Sequence, residues 1–260
     1  MRFINRLVSI LKGVLICVIL IQCKDSSTAL KESQELKTVE TITPIPFTDY
    51  YPSGNLKTKG QLLHDKKMGT WISYLENGDE KSIQNFKDDV LDGFQKTLYS
   101  QELYMEGDFK QGVKIGTWKS YFKDNHQLKY LKHFDNNGNS TGKWESYYDS
   151  GELSLIENYV NNQANGNKTE YFKNGQISST GKLINGKNHG IWNYYYDTGV
   201  LQCEKEFKIG IEEGVYKQYY ENGSLYKEGT KTNFEKTGVW KTYDQNGSII
   251  ETKSYRDSKN

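Results

Sequence analysis

Four histidines, one interior cysteine and scattered carboxylates are the residues this 260-residue chain offers to catalysis. His64, His126, His133 and His189 stand at no metal-ligand spacing from one another or from a cysteine. His64 and His189 read as solvated turn residues. Asp135-Asn136-Asn137-Gly138-Asn139-Ser140 has the Asp/Asn content of a calcium loop. Its glycine, however, is fourth where an EF-hand needs it sixth, and the twelfth residue is Ser146 where the EF-hand carries a glutamate. The segment therefore reads as a lengthened turn. Cys203 lies between Leu201 and Phe207 in an alternating stripe, with no histidine or acid arranged to activate it, so it reads as a small apolar filler. Acidic residues recur in no fixed pair, so the sequence proposes no two-carboxylate glycosidase. No catalytic residue, metal or cofactor is expected, and the chain reads as non-enzymatic.

Aromatic residues do recur. Trp71, Trp118, Trp144, Trp192 and Trp240, with Tyr216 in the same frame, form one row. Leu75, Phe122, Tyr148, Phe172, Tyr196 and Tyr220 follow four residues later, on the same face if the strand is regular. Two uses fit these rows. They are the ladder that holds neighbouring repeats together, and they are a groove that receives an extended peptide or a glycan. Tyr and Trp are also the residues favoured at binding hot spots.

The elements that position these rows follow from a period of about 24 residues. Tyrosines stand at 50, 74, 99, 121, 147, 171, 195, 219 and 243. A fixed short period marks a repeat array. Within one repeat, Tyr195-Tyr196-Asp197-Thr198-Gly199 predicts a strand end and a turn, and Asn222-Gly223 and Asn174-Gly175 strengthen that reading. Leu201, Cys203 and Phe207 alternate with Gln202, Glu204 and Glu206, so one face of the next strand is buried. A second turn such as Asn185-Gly186 leads to a returning strand such as Ile191–Tyr196. Each repeat is thus two short strands and two turns. A lone hairpin is marginal in water, so the hairpins must stack side by side. The predicted fold is all-β: an elongated single-layer antiparallel β-meander over residues 47–257, in about 8.5 copies. Spacing errors of 25, 22 and 26 residues are expected in turns, with Glu80 in the Leu slot and Lys96 in the Trp slot of the second copy. The second and third copies are the least regular, and a bend or a working surface is sought there first.

Composition agrees. Charges nearly cancel, 34 Lys+Arg against 33 Asp+Glu, which gives no basic face for nucleic acid. Only 35% of residues are hydrophobic and mean hydropathy is -0.81, too low for a thick core. Twenty Tyr, ten Phe and five Trp supply the buried area that keeps such a polar chain ordered.

At the amino terminus, Arg2, Arg6 and Lys12 precede the apolar run Val14–Ile21, a basic segment before a short apolar core. The run is too short to span a bilayer. Leu20-Ile21-Gln22-Cys23 resembles a bacterial lipobox, departing from it in that the residue before the cysteine is usually small. The resemblance implies a lipoprotein signal peptide over 1–22 and lipidation of Cys23. Cys17 is then removed and Cys203 is the one thiol left. Residues 23–46 are polar and read as a flexible tether. Lys24-Asp25 loosely resembles a surface-export signal of some lipoproteins.

The frame Tyr-Tyr-x-x-Gly-x-Leu, then a glycine turn, then Gly-x-Trp-x-x-Tyr, resembles the bacterial MORN-type repeat, and most closely its YwqK-family, antitoxin-like variant. The resemblance implies stacked hairpins and little about activity. Together with the amino terminus it implies a lipid-anchored repeat protein of the cell envelope, at the outer membrane on its periplasmic or surface side. Its partner is a protein, with a toxin or a glycan as the alternatives.

Overall fold

The computed structural model describes residues 43–256 apart from 101, 102 and 123, with backbone alone at 99, 100 and 103. The signal segment, Cys23 and most of the tether lie outside the described residues. Among the described residues, eighteen strands follow in chain order: β1 (Ile45–Tyr50), β2 (Leu56–Leu63), β3 (Lys66–Tyr74), β4 (Glu80–Lys87), β5 (Val90–Ser100), β6 (Leu103–Lys110), β7 (Val113–Phe122), β8 (Leu128–Phe134), β9 (Gly142–Tyr147), β10 (Leu153–Val160), β11 (Gln163–Tyr171), β12 (Ile177–Ile184), β13 (Lys187–Tyr195), β14 (Leu201–Lys208), β15 (Ile211–Tyr219), β16 (Leu225–Thr232), β17 (Glu235–Tyr243) and β18 (Ile249–Tyr255). Each pairs antiparallel with the next in sequence, so the sheet is one open meander. The array begins at Ile45, two residues inside the segment read as tether.

Two kinds of turn join the strands. Hairpins such as β12–β13 close through two residues with both φ values positive, Asn185 at 50° and Gly186 at 76°. Their backbone twist matches that of the strands, and Asn-Gly adopts it at little cost. Most of the other turns close on a glycine three residues after their first residue, as in Tyr196–Gly199, where the glycine N–H donates to the Tyr196 carbonyl at 2.9 Å.

The Gly-x-Trp motif has a geometric reason. In β3, Gly69 sits at φ +67° and the strand bulges, so Gly69-Thr70-Trp71 lies opposite the single residue Gly60 of β2. The kink lays the indole flat across the glycine. A Cβ at Gly60 would overlap the Trp71 ring, and Gly107 with Trp118, Gly181 with Trp192 and Gly229 with Trp240 repeat the arrangement. Trp71 Nε1 then donates to the Gln61 carbonyl at 3.2 Å, as Trp118 does to Asp108 (3.3 Å), Trp192 to Lys182 (3.1 Å) and Trp240 to Thr230 (3.1 Å). A buried indole N–H thereby finds an acceptor on the strand it covers.

These hairpins alternate with a second kind. In β4–β5, β10–β11 and β14–β15, Asn85, Asn158 and Glu206 stand at the bulge in place of the covered glycine. The residue in the indole slot there is Gln95, Lys168 or Tyr216, paired in register with Gln84, Glu157 or Lys205. Lys96 is therefore not in the Trp slot: it pairs with Glu106 on the opposite face. The positive φ of Gly93 (105°) fixes the frame, and Leu98 takes the tyrosine slot. The spacings become 24 and 23. The fourth hairpin, β8–β9, keeps only two in-register pairs before its lengthened Asp135–Asn139 turn.

Candidate binding surfaces

The indole row packs as a ladder. Trp71, Trp118, Trp192 and Trp240 are only 3–4% exposed. Phe47 lies 5.2 Å from Trp71, Phe109 5.1 Å from Trp118, and Tyr216 5.2 Å from Trp240. Lysine ammoniums cover the remaining ring faces: Lys67 on Trp71 at 4.7 Å, Lys114 on Trp118 at 4.1 Å and Lys236 on Trp240 at 4.5 Å. Trp144 is half-buried, because its hairpin lacks the glycine. Lys132 sits 4.5 Å from its ring centre and Tyr159 stacks on it at 4.0 Å. Beside the indoles the same face carries Ser82, Ser120, Ser179, Cys203 and Thr242, all buried. Burial pushes the Cys203 thiol up, as suits a filler.

The second aromatic row is not a continuation of the strand. Tyr148, Phe172, Tyr196 and Tyr220 each follow the last residue of a strand and open the turn. All are half-buried, as are Leu75 and Phe122. The hydroxyls of Tyr51, Tyr148, Tyr196 and Tyr220 donate to the carbonyls of Tyr74 (2.8 Å), Tyr171 (2.6 Å), Tyr219 (3.0 Å) and Tyr243 (2.8 Å). This row staples each turn to the next repeat.

The opposite face was not singled out by the motif. Tyr219 donates to Glu204 at 2.6 Å, Tyr243 to Glu228 at 2.6 Å and Tyr121 to Glu106 at 2.7 Å. Across the strand from these glutamates stand Lys217, Lys241 and Lys119. Burial, then the Glu106 carboxylate, pushes the Tyr121 hydroxyl up to about 12, so it stays a donor at neutral pH. Glutamate fifteen residues before tyrosine was the signal to look for. Between these groups the middle residues of Gly-x-Trp and its variant point outward: Ile191, Val215 and Val239 are 46%, 43% and 54% exposed.

The histidines are dispersed. His126 stacks on Tyr104 at 5.9 Å and His133 Nδ1 meets Thr117 Oγ1 at 3.0 Å. His189 is in β13 and not in a turn, because the hairpin closes at Asn185-Gly186. Asp135 turns its carboxylate onto its own loop, accepting from the N–H groups of Asn137 and Asn139 at 2.8 Å each. Two hollows occur. One, about 530 Å³, lies beside Tyr104, Glu106 and His126. The other, about 460 Å³, lies between Tyr159 and Leu183.

Four segments match the MORN repeat variant: residues 140–161, 188–208, 212–230 and 236–257. Residues 140–257 thus carry four MORN-variant repeats, a class of protein- and membrane-binding modules that is not enzymatic in general. Each match runs from a Gly-x-Trp strand or its variant through the glycine turn into the next strand, cutting across the hairpins. No curated protein matches the chain. Among solved structures, a TcdB2-TccC3-Cdc42 crystal structure is 10% identical over 78% of this chain and 13% of that one, with a TM-score of 0.16. A Photorhabdus luminescens Tc holotoxin pore is 11% identical over 80% of this chain and 12% of that one, with a TM-score of 0.15. The chain spans only that small part of either structure, and superpositions this poor carry no argument about function.

Proposed function

We propose that the chain is a non-enzymatic protein-binding scaffold, anchored to the cell envelope by lipid on Cys23. The observation that carries this reading is the face opposite the indoles. There Ile191, Val215 and Val239 recur in consecutive hairpins, exposed, on the face that also carries the Tyr219–Glu204 and Tyr243–Glu228 pairs. Apolar side chains flanked by tyrosines and paired charges are the composition of a protein interface. The indoles of Trp71, Trp118, Trp192 and Trp240 are already enclosed, so the surface open to a protein partner is this face and the turn tyrosines.

The test is crosslinking and capture from envelope fractions with the parent chain and with I191D/V215D/V239D. A specific partner held by the parent and by T117D, but lost from the triple variant, is expected. Retention by the triple variant would sink the assignment. An immunity role is the special case in which the partner is a toxin, and growth rescue on co-expression with that toxin tests it. Anchoring has its own test: Cys23→Ala should leave the membrane fraction.

A further inference from the structure

The indole face is interrupted at β11. Its indole slot holds Lys168, whose Nζ turns aside to Glu170 at 2.8 Å. Four residues earlier stands Ala164, where other strands carry Lys67, Leu91, Lys114, Asn188, Glu212 or Lys236. Both side chains that fill this space in other repeats are therefore missing, and the 460 Å³ hollow results. That volume is within the range of small-ligand sites.

The walls differ in character. Tyr159, stacked on Trp144 at 4.0 Å and 27°, bounds one side. Ala164 and the buried Leu183, packed in the Trp192 cluster, supply an apolar floor. The rim is mostly carboxamide. Gln163 and Asn188 make no side-chain hydrogen bond among the described residues. Glu157, which accepts from the Tyr159 hydroxyl at 2.9 Å, stands in register with Lys168, so the wall carries one charge of each sign.

We propose that this hollow binds neutral sugar residues of a glycan. A carboxamide offers two donors and an acceptor, which suits neighbouring hydroxyls, while the C–H face of a sugar ring packs on Tyr159 and Leu183. An ionic ligand would meet a like charge, Glu157 or Lys168. A wholly apolar group would strip water from the rim amides and return no hydrogen bond. The inference is independent of the opposite face, so the two readings fail separately.

The test is titration calorimetry of the purified full-length chain in detergent with tetramers of β-1,4-glucose, α-1,4-glucose and β-1,4-N-acetylglucosamine, and with a glycine-flanked tryptophan peptide. At least one tetramer should bind saturably. Lys168→Tyr, which copies Tyr216, and Ala164→Leu, which copies Leu91, should each weaken it about tenfold or more while the melting temperature holds or rises. Asn188→Ala should weaken it about fivefold with the hollow intact. Silence from all three tetramers, undiminished binding in both filled variants, or capture of the peptide in preference to sugar would each overturn the proposal.

Discussion

A methyl group distinguishes the two kinds of glycine in this chain. Gly181 has no room for a Cβ, because the Trp192 ring lies on it; Gly175, at φ +83°, faces open space. Gly181→Ala should lose roughly 2–4 kcal/mol by urea unfolding, since the indole must leave its acceptor Lys182 as well as its seat. Gly175→Ala should cost only about 1 kcal/mol, the backbone term alone. Similar losses at both positions would mean the indole seat contributes nothing. Glu212 gives a pH signature. Burial alone would raise its carboxyl, but hydrogen bonds from Lys231 and Lys205 outweigh that and hold it below the ordinary 4.5. A depressed carboxylate stabilises the fold above its unfolded value, so this stability should drain away as pH falls from 4.5 through the lower folded value. Glu212→Gln should lose about 2 kcal/mol at neutral pH and flatten that acid limb; an unchanged limb would assign the acid sensitivity elsewhere. The glycine at 181 stands in plain view in the sequence, yet its partner is eleven residues away across a bulge that no period reveals.

Hairpin tips set the element scale. Asn185-Gly186 suits a turn with two positive φ values, whereas Ile209 adopts φ 48° and Phe234 φ 67° with both side chains exposed. A β-branched residue in that region is strained. Ile209→Asn should raise stability by about 1 kcal/mol in thermal unfolding. A fall would show that the exposed isoleucine is held by contacts of its own. The strands and both turns were legible from alternation and Asn-Gly pairs. The frame of β5 was not: Tyr99 drew the register one residue late, and only the positive φ of Gly93 put Gln95 and Leu98 in their slots.

Across the whole sheet, indole hairpins alternate with the second kind from β10 to β17, a unit of 48 residues rather than 24. Deleting residues 177–224 removes one of each and leaves β11 meeting β16 as it now meets β12. That variant should keep one cooperative transition with a smaller denaturant slope. Deleting 177–200 alone puts two of the second kind side by side without the Trp192 seat, and should lower the midpoint further. If the shorter deletion is the milder, the alternation has no energetic meaning. The aromatic groove read from the repeat also changes at this scale. Its indoles turn inward, its second row joins the turns, and the reachable surface is the other face with the hollow at Lys168.

By itself the sequence determined the meander. Periodicity, alternation and turn residues are local properties, and each hairpin contacts only the neighbours that chain order supplies. Cys203 as filler and the Asp135 turn were legible for the same reason. What tertiary structure decided was which side of each aromatic is open. A flat ring over a glycine is buried while a tyrosine at a turn is half-free, and a period cannot tell them apart. The difference is made by a one-residue bulge on the strand before, by a lysine four residues back, or, at Ala164 and Lys168, by the missing ring and missing neighbour that leave a space.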